Sequence, residues 1–593
     1  MRSILPQGLA VAALLALCQP APAQAPDAVL ALVPADAPLV FQINGFGRAK
    51  ERLGKMIGNA LPDLAPKALK HLDDALAALL DGRDPKGIAK EGHILNVVTD
   101  LDSLEDEPEL AVVVPVTSYQ DFVAGFLKEE ERKGLKKEDG YDAVKVGMAD
   151  EPMCLIDRKT HVIVAKNPAV ARLFLMKQGG LDKALSPATR TAFLSPDVAI
   201  YANVKLLHAK YGPTLNGLKT TIEGLLQLGA DLDEKEKAQI KDALQGMLQV
   251  FEDGITAVAA LQFRPEGLNL RVQAEFGDKT QTGKFLQTIK PSPLVELNAL
   301  PPGQMGYSAM RLDPKLSKAV SGLLAHIGAD DTDADAKVAI NDAAQELVDA
   351  GLEAQFSSSN LPAANIETAV YKDPLKAVAA QLKILKALTN TGTIQNVPLK
   401  EKPQVKENAE TVGAFKFHHA TIALDLDKAT ESVPGEGKEA LKGFLERMVG
   451  KDLNLWFGTD GKTVLEVRAK DWKSAKGLID GYLNGGQALA KDEAFQLVRK
   501  NLPGEATLLS LLDAVRTTSE MYQFMREMLQ GFAGVIPGLP AEFPELPKPE
   551  GKPAYVGFAI VLRPEHGSFE LFIPGTTAQQ MRKLLAPLLE KVD

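Results

Sequence analysis

Cysteine is scarce in this sequence, with Cys18 and Cys154 the two in 593 residues. Cys18 closes an amino-terminal apolar run, so the chain beyond that run holds a single thiol and can form no internal disulfide. Cys154 lies in Met153-Cys154-Leu155-Ile156, where a small buried hydrophobe is the simplest role. Histidine is scarce too. The eight histidines contain no H-E-x-x-H and no pair at helical ligand spacing. His418 and His419 are adjacent in FKFHHATIALDLD, and in a strand they would point to opposite faces, so they cannot grip one ion together. No serine stands in G-x-S-x-G; the nearest, Gly306-Tyr307-Ser308-Ala309-Met310, lacks the second glycine of a hydrolase elbow. Beyond the amino-terminal run no stretch approaches the ~18 apolar residues that span a bilayer. Positive charge is in deficit, with Lys+Arg 67 against Asp+Glu 77 and a net charge of -10. That balance argues against nucleic acid as a partner, because phosphate-backbone binding needs a basic surface.

What is present begins with an export signal. Arg2 supplies a positive n-region, Leu9 to Leu17 (LAVAALLAL) the apolar segment, and Ala21-Pro22-Ala23 the small residues at -3 and -1. Cleavage after Ala25 also satisfies A-x-A, but Pro26 would then follow the scissile bond, so cleavage after Ala23 is expected, with residues 1–23 as the signal peptide. Lipidation at Cys18 is disfavoured because Leu17, not a small residue, precedes it. The mature protein is therefore expected to be soluble and extracytoplasmic, periplasmic or secreted. Hydrophobic residues at 45% and charged residues at 24% are ordinary globular values.

The body of the chain is repetitive. Four proline-led segments run from a short apolar strand into a helix, after Val33-Pro34, Ser195-Pro196, Leu300-Pro301 and Leu502-Pro503. Helical stripes follow: Leu53, Met56, Ile57, Ala60 and Leu61; Leu316, Ala319, Val320, Leu323 and Leu324; Met521, Phe524, Met525, Met528 and Leu529. Hairpins recur as LQFRPEGLNLRVQ and IVLRPEHGSFELFI, turning at Arg264-Pro265-Glu266-Gly267 and Arg563-Pro564-Glu565-His566-Gly567. Phe263, Leu268 and Leu270 are expected to share a buried face. A third hairpin, DLNLWFGTDGKTVLEVR, turns at Asp460-Gly461 and feeds a helix near Trp472. Gly229-Ala230-Asp231 with Ile240-Lys241-Asp242-Ala243 matches Gly328-Ala329-Asp330 with Ile340-Asn341-Asp342-Ala343 about 100 residues later.

These patterns predict an α+β fold of antiparallel sheets with packed helices, built from duplicated strand-helix-helix-hairpin-helix units. Two halves are expected, 30–295 (units near 33–127 and 194–290) and 296–593 (units near 300–390 and 502–590). The proline-dense PSPLVELNALPP at Pro291 to Pro302 marks their boundary. Glu129 to Gly140 reads as a solvated helix end and turn, and Pro537 to Pro553 as a stiff polyproline-like loop. The opening LVPADAPLVFQING, Leu32 to Gly45, following a signal peptide and followed by hairpin-helix units, resembles uncharacterised secreted bacterial proteins grouped as a domain of unknown function. The resemblance carries no catalytic residues to this chain.

Cofactor motifs fail in detail. Asn44-Gly45-Phe46-Gly47-Arg48-Ala49-Lys50 has Lys50 where a dinucleotide loop places its third glycine, and Gly54-Lys55 has Ala49 five residues upstream where a Walker loop needs glycine. Asp331, Asp333, Asp335 and Asp342 form a weak calcium candidate, with Ala336 in place of the turn glycine. Helix capping by these acids is the favoured reading, and no metal or cofactor is expected. Three functions follow: a noncatalytic extracytoplasmic binding or structural protein with an unknown protein or cell-envelope partner, a carrier of lipid or another apolar ligand, and an unrecognised secreted hydrolase. Of these the noncatalytic reading is preferred. Intact-mass analysis of the exported product should give a chain beginning at Gln24; a product retaining an acylated Cys18 would contradict this.

Overall fold

The computed structural model describes residues 26–80, 83–104, 108–146, 151–176, 179–228, 234–312, 334–360, 364–390, 392–394, 397–431, 433, 436–448, 450–486, 488–532 and 543–589. The signal segment, the stripe from Leu316 to Leu324, Asp331, Asp333 and the start of the proline-dense loop at Pro537 lie outside those residues. Helices alternate with antiparallel strands in an α+β arrangement. No helix among the described residues is long and apolar enough to cross a membrane. The chain divides into two compact units, residues 1–288 with 563–570, and residues 289–562 with 571–593.

The first unit carries β1 (Leu39–Asn44), β2 (His93–Val98), β3 (Leu110–Pro115), β4 (Lys136–Lys137), β5 (Asp142–Val144), β6 (Met153–Asp157), β7 (His161–Ala165), β8 (Val198–Asn203), β9 (Gly254–Arg264) and β10 (Gly267–Phe276). Their order is β4-β5-β6-β7-β3-β2-β1-β8-β9-β10, every neighbour antiparallel. Runs rich in Val and Ile explain the strands, whose branched side chains suit a pleated surface. Caps placed before proline explain two helices: Asn167 caps Pro168–Leu175 and Ser186 caps Pro187–Leu194, each with proline at the first turn. Those helices close one face of the sheet, burying Val40, Leu95, Val97, Val113, Ile163, Tyr201 and Val258 with Phe174 and Phe193. Cys154 is fully buried in this core, and burial pushes its thiol up to about 11. On the other face, helix Tyr119–Phe126 covers Val112, Val114, Val162 and Val164 through the stacked rings of Phe122 and Phe126.

The second unit carries β11 (Gly306–Arg311), β12 (Leu352–Asn360), β13 (Ala364–Tyr371), a short ribbon of β14 (Thr393–Ile394) and β15 (Val397–Pro398), β16 (Gln404–Val412), β17 (Phe415–Ala423), β18 (Asp452–Thr459), β19 (Val464–Arg468), β20 (Leu508–Asp513) and β21 (Tyr555–Arg563). The final strand, β22 (His566–Pro574), begins in the segment grouped with the first unit. The order is β16-β17-β18-β19-β13-β12-β11-β20-β21, again antiparallel throughout. Leaving aside the small ribbon, this is the order of the first nine strands of the first unit. The β18–β19 turn uses Gly461 at φ 87 and Asp460, whose carboxylate accepts from Lys462 N and Thr463 N. Asp471 then caps helix Trp472–Asn484.

One expectation is reversed. Phe263, Leu268 and Leu270 are half-buried, whereas the buried positions of β10 include Asn269 and Gln273. Alternation separates two faces of a strand but does not say which one the rest of the chain covers. In the second unit the core is aromatic, with Phe417 fully buried, 5.8 Å from Phe415 and 6.3 Å from Trp472 between ring centroids. Phe417→Ala should destabilise this unit by about 3–5 kcal/mol. Urea unfolding read by tryptophan fluorescence checks it, because both tryptophans, Trp456 and Trp472, belong to this unit.

Candidate functional site

The reversed β10 pattern leads to the first unit's second face. The register aligns Asn96, Phe41, Ile200, Ala259 and Val272 in one row across β2, β1, β8, β9 and β10. Beside it run Leu39, Ala202, Ala257 and Ala274 on one side and Ile43, Val198, Leu261 and Leu270 on the other. Across β1, β8, β9 and β10 these three rows carry no polar side chain. Helix Phe46–Ala60 packs over β9 and β10, and helix Val204–Leu228 packs over β8 and β9. Between them the middle row stays open: Phe41 is 41%, Ile200 38% and Val272 42% exposed. A contiguous apolar face left open on a folded unit marks an interaction site more often than an accident of packing.

Local geometry explains how the face is held. Gly45, at φ 65, turns β1 directly into its helix, and its N–H donates to Gly92 O at 2.9 Å. Asn44 Nδ2 donates to Leu194 O at 3.0 Å. Asn44 to Lys50 is thus a strand-to-helix turn, with Phe46 already the first helical residue. Asp197, fully buried, accepts from Arg52 Nη1 at 2.9 Å and from Phe263 N at 2.8 Å, tying that helix to β9.

Behind the open face lies a buried polar cluster. Gln42, between Phe41 and Ile43 on β1, is fully buried and its amide nitrogen lies 2.9 Å from His93 Nδ1. His161, on β7, is also buried, with Nδ1 3.2 Å from Thr160 Oγ1. Burial lowers His93 to about 4, helped by the charges of Arg48 and His161, and burial alone lowers His161 to about 4.

The other sequence candidates are scattered. Asp335 and Asp342 are exposed on helix Ala334–Asp349, so residues 334 to 342 wind as helix rather than as a calcium loop. Among the described residues no three His, Cys, Asp or Glu side chains are grouped to hold a metal. His418 lies opposite Phe457 and His419 opposite Trp456, its ring stacked 4.5 Å from the indole. Ser308 sits within β11, flanked by Ser357 and Ser510 on the neighbouring strands, so no elbow forms there. No local sequence pattern marks this face as open. Its trace was the pairing of apolar Leu39, Phe41 and Ile43 with polar Gln42 and Asn44 at the alternate positions of one strand.

No protein-family model matches the chain, and no curated protein matches it. Among solved structures, crystal form I of TP0453 aligns with 45% of this chain and 84% of its own at 10% identity. Crystal form IV aligns with 42% of this chain and 79% of its own at 11% identity. The TM-score is 0.21 in both, too low to carry an argument about fold or function.

The histidine pair makes the unit acid-sensitive. Both groups bind a proton in the unfolded chain below about pH 6.5 and stay neutral in the fold until about pH 4. Stability should therefore fall as pH drops through that window, by roughly 3 kcal/mol for each histidine. Hydrogen exchange of the β2 and β7 amides checks it: exchange should accelerate from pH 6.5 to 4 after correction for intrinsic rates, and less so in His93→Gln/His161→Gln.

Proposed function

We propose that this protein is a noncatalytic, extracytoplasmic binding protein whose ligand is apolar, the flexible hydrocarbon chain of an amphiphile. The observation that carries the reading is the open row from Phe41 to Val272, which crosses four strands, lies between two further rows of Ala and larger aliphatics and is flanked by two helices. Covering the exposed two-fifths of Phe41, Ile200 and Val272 would contribute on the order of 1 kcal/mol apiece. No single contact of that size gives useful affinity, so the ligand must run along the row, which at about 4.8 Å per strand spacing is ~19 Å from Asn96 to Val272. A linear aliphatic chain fits that demand better than a compact polar substrate.

Export rests on the amino-terminal signal pattern of Arg2, Leu9 to Leu17 and Ala21-Pro22-Ala23. Internal duplication is part of the same reading. Its supports are the common order of the first nine strands in the two units and the strand-to-helix openings at β1, β8 and β20. β1 and β8 pair antiparallel as the first and eighth strands of one unit, and β11 and β20 pair likewise in the other. A duplicated scaffold requires the same core in each copy and leaves the exposed faces free to diverge. They do diverge here: the row is apolar from Phe41 through Ile200 to Val272, while that containing Ser308 and Ser510 is rich in serine.

A fluorescent polyene fatty acid, cis-parinaric acid, tests the binding. Wild-type protein should bind it at micromolar concentration, and Phe41→Glu with Ile200→Glu should weaken binding at least tenfold with an unchanged far-ultraviolet circular dichroism spectrum. Equal binding by the folded double variant, or none by the wild type, would overturn the proposal.

A further inference from the structure

Glu367 on β13 and Glu466 on β19 stand directly opposite each other across an antiparallel pair, where two like charges destabilise a sheet. The cation beside them is Arg468, whose Nε and Nη2 donate to one oxygen of Glu466 at 3.3 and 3.2 Å. Glu466 is 15% exposed in its side chain, and the residue opposite it on β18 is the fully buried Phe457. Two ionised carboxylates against one guanidinium would leave a net negative charge under helix Pro374–Ala387, which packs on β13, β18 and β19.

The amides around the pair point the same way. Gln381, on that helix, directs Nε2 to Glu466 at 3.4 Å, and Gln355 on β12 hydrogen-bonds Glu367. Both amide groups face carboxylates, and the Oε1 atom of each is buried without a hydrogen-bond donor. The remaining titratable neighbour is Tyr371, whose phenol is pushed upward by burial and by the two carboxylates, so it stays neutral. The cluster therefore has one acid too many, and one proton corrects this.

We propose that Glu367 carries a proton in the folded protein at mildly acidic pH, which removes one of the two like charges set opposite each other across β13 and β19. Burial, followed by the charge of Glu466, raises Glu367 to about 7, while Gln355 and Arg468 act in the opposite direction. In the unfolded chain the same carboxyl loses its proton near 4.5. The folded state thus holds an extra proton between those values, and stability falls as pH rises from about 4.5 to about 7 and then levels. This slope is opposite in sign to that of His93 and His161, so the proposal is read as a difference between variants.

Infrared difference spectroscopy of the wild-type protein tests it without relying on a variant. A protonated-carboxyl band should be present at pH 6, where ordinary carboxyls are ionised, and lost by pH 8. Glu367→Gln should abolish that band. Glu367→Gln should also raise Tm by several degrees at pH 8 relative to wild type, and by less at pH 5. Absence of the band in folded wild type at pH 6, its persistence in Glu367→Gln, or an equal Tm offset at both pH values would overturn the inference.

Discussion

Antiparallel pairing of two strands that each run straight into a helix is the constraint on which the first unit depends. β1 leads into helix Phe46–Ala60 and β8 into helix Val204–Leu228, with no intervening loop longer than a residue. Because the strands point in opposite directions, their helices leave from opposite ends of the pair. The two helices pack over β9 and β10 and over β8 and β9, and between them the middle row is left open. The row through Phe41 and Ile200 is the part of the sheet farthest from both exits, and it is the part that stays open. The opposite face has no such restriction, since short capped helices from later in the chain close it.

The cost of that arrangement appears on the covered side. Strands that expose apolar residues on one face bring their alternate residues to the other, and in β1 those alternates include Gln42 and Asn44. Buried amides need partners. Asn44 finds backbone carbonyls at Leu194 and Ser195, and Gln42 finds His93, which draws a titratable ring into the interior. The second unit has the same kind of difficulty with charge in place of amides, where Glu367 and Glu466 face each other beside Arg468. Both clusters are polar groups at positions that sheet alternation directs inward, and both leave a proton-binding group in an environment that shifts it.

Much of the local structure is readable without coordinates. Proline and glycine mark turns, and alternation marks strands, so the β9–β10 hairpin around Pro265 and the β18–β19 hairpin around Asp460-Gly461 occur where the turn chemistry puts them. The start of a helix at Trp472 follows from its Asp471 cap. Phe263, Leu268 and Leu270 show the boundary of that method. Their spacing assigns them to one face, but burial depends on which distant helices reach that face, and no local signal encodes this. Glu367 and Glu466 lie nearly a hundred residues apart and adjoin only because β13 pairs with β19 across the ribbon β14–β15, the strands β16, β17 and β18 and the helices among them.

The antiparallel α+β character, the strand-to-helix turns and the lack of any complete catalytic or metal-binding motif are legible in the order of residues alone, because each depends on neighbours within a few residues. Which apolar face is covered and which is open, and which carboxylates and histidines come together, follows from long-range packing. Those outcomes come from pairing between strands far apart in the chain. Alternation within a strand permits either face to be the inside, and the choice is made by the elements that pack against it.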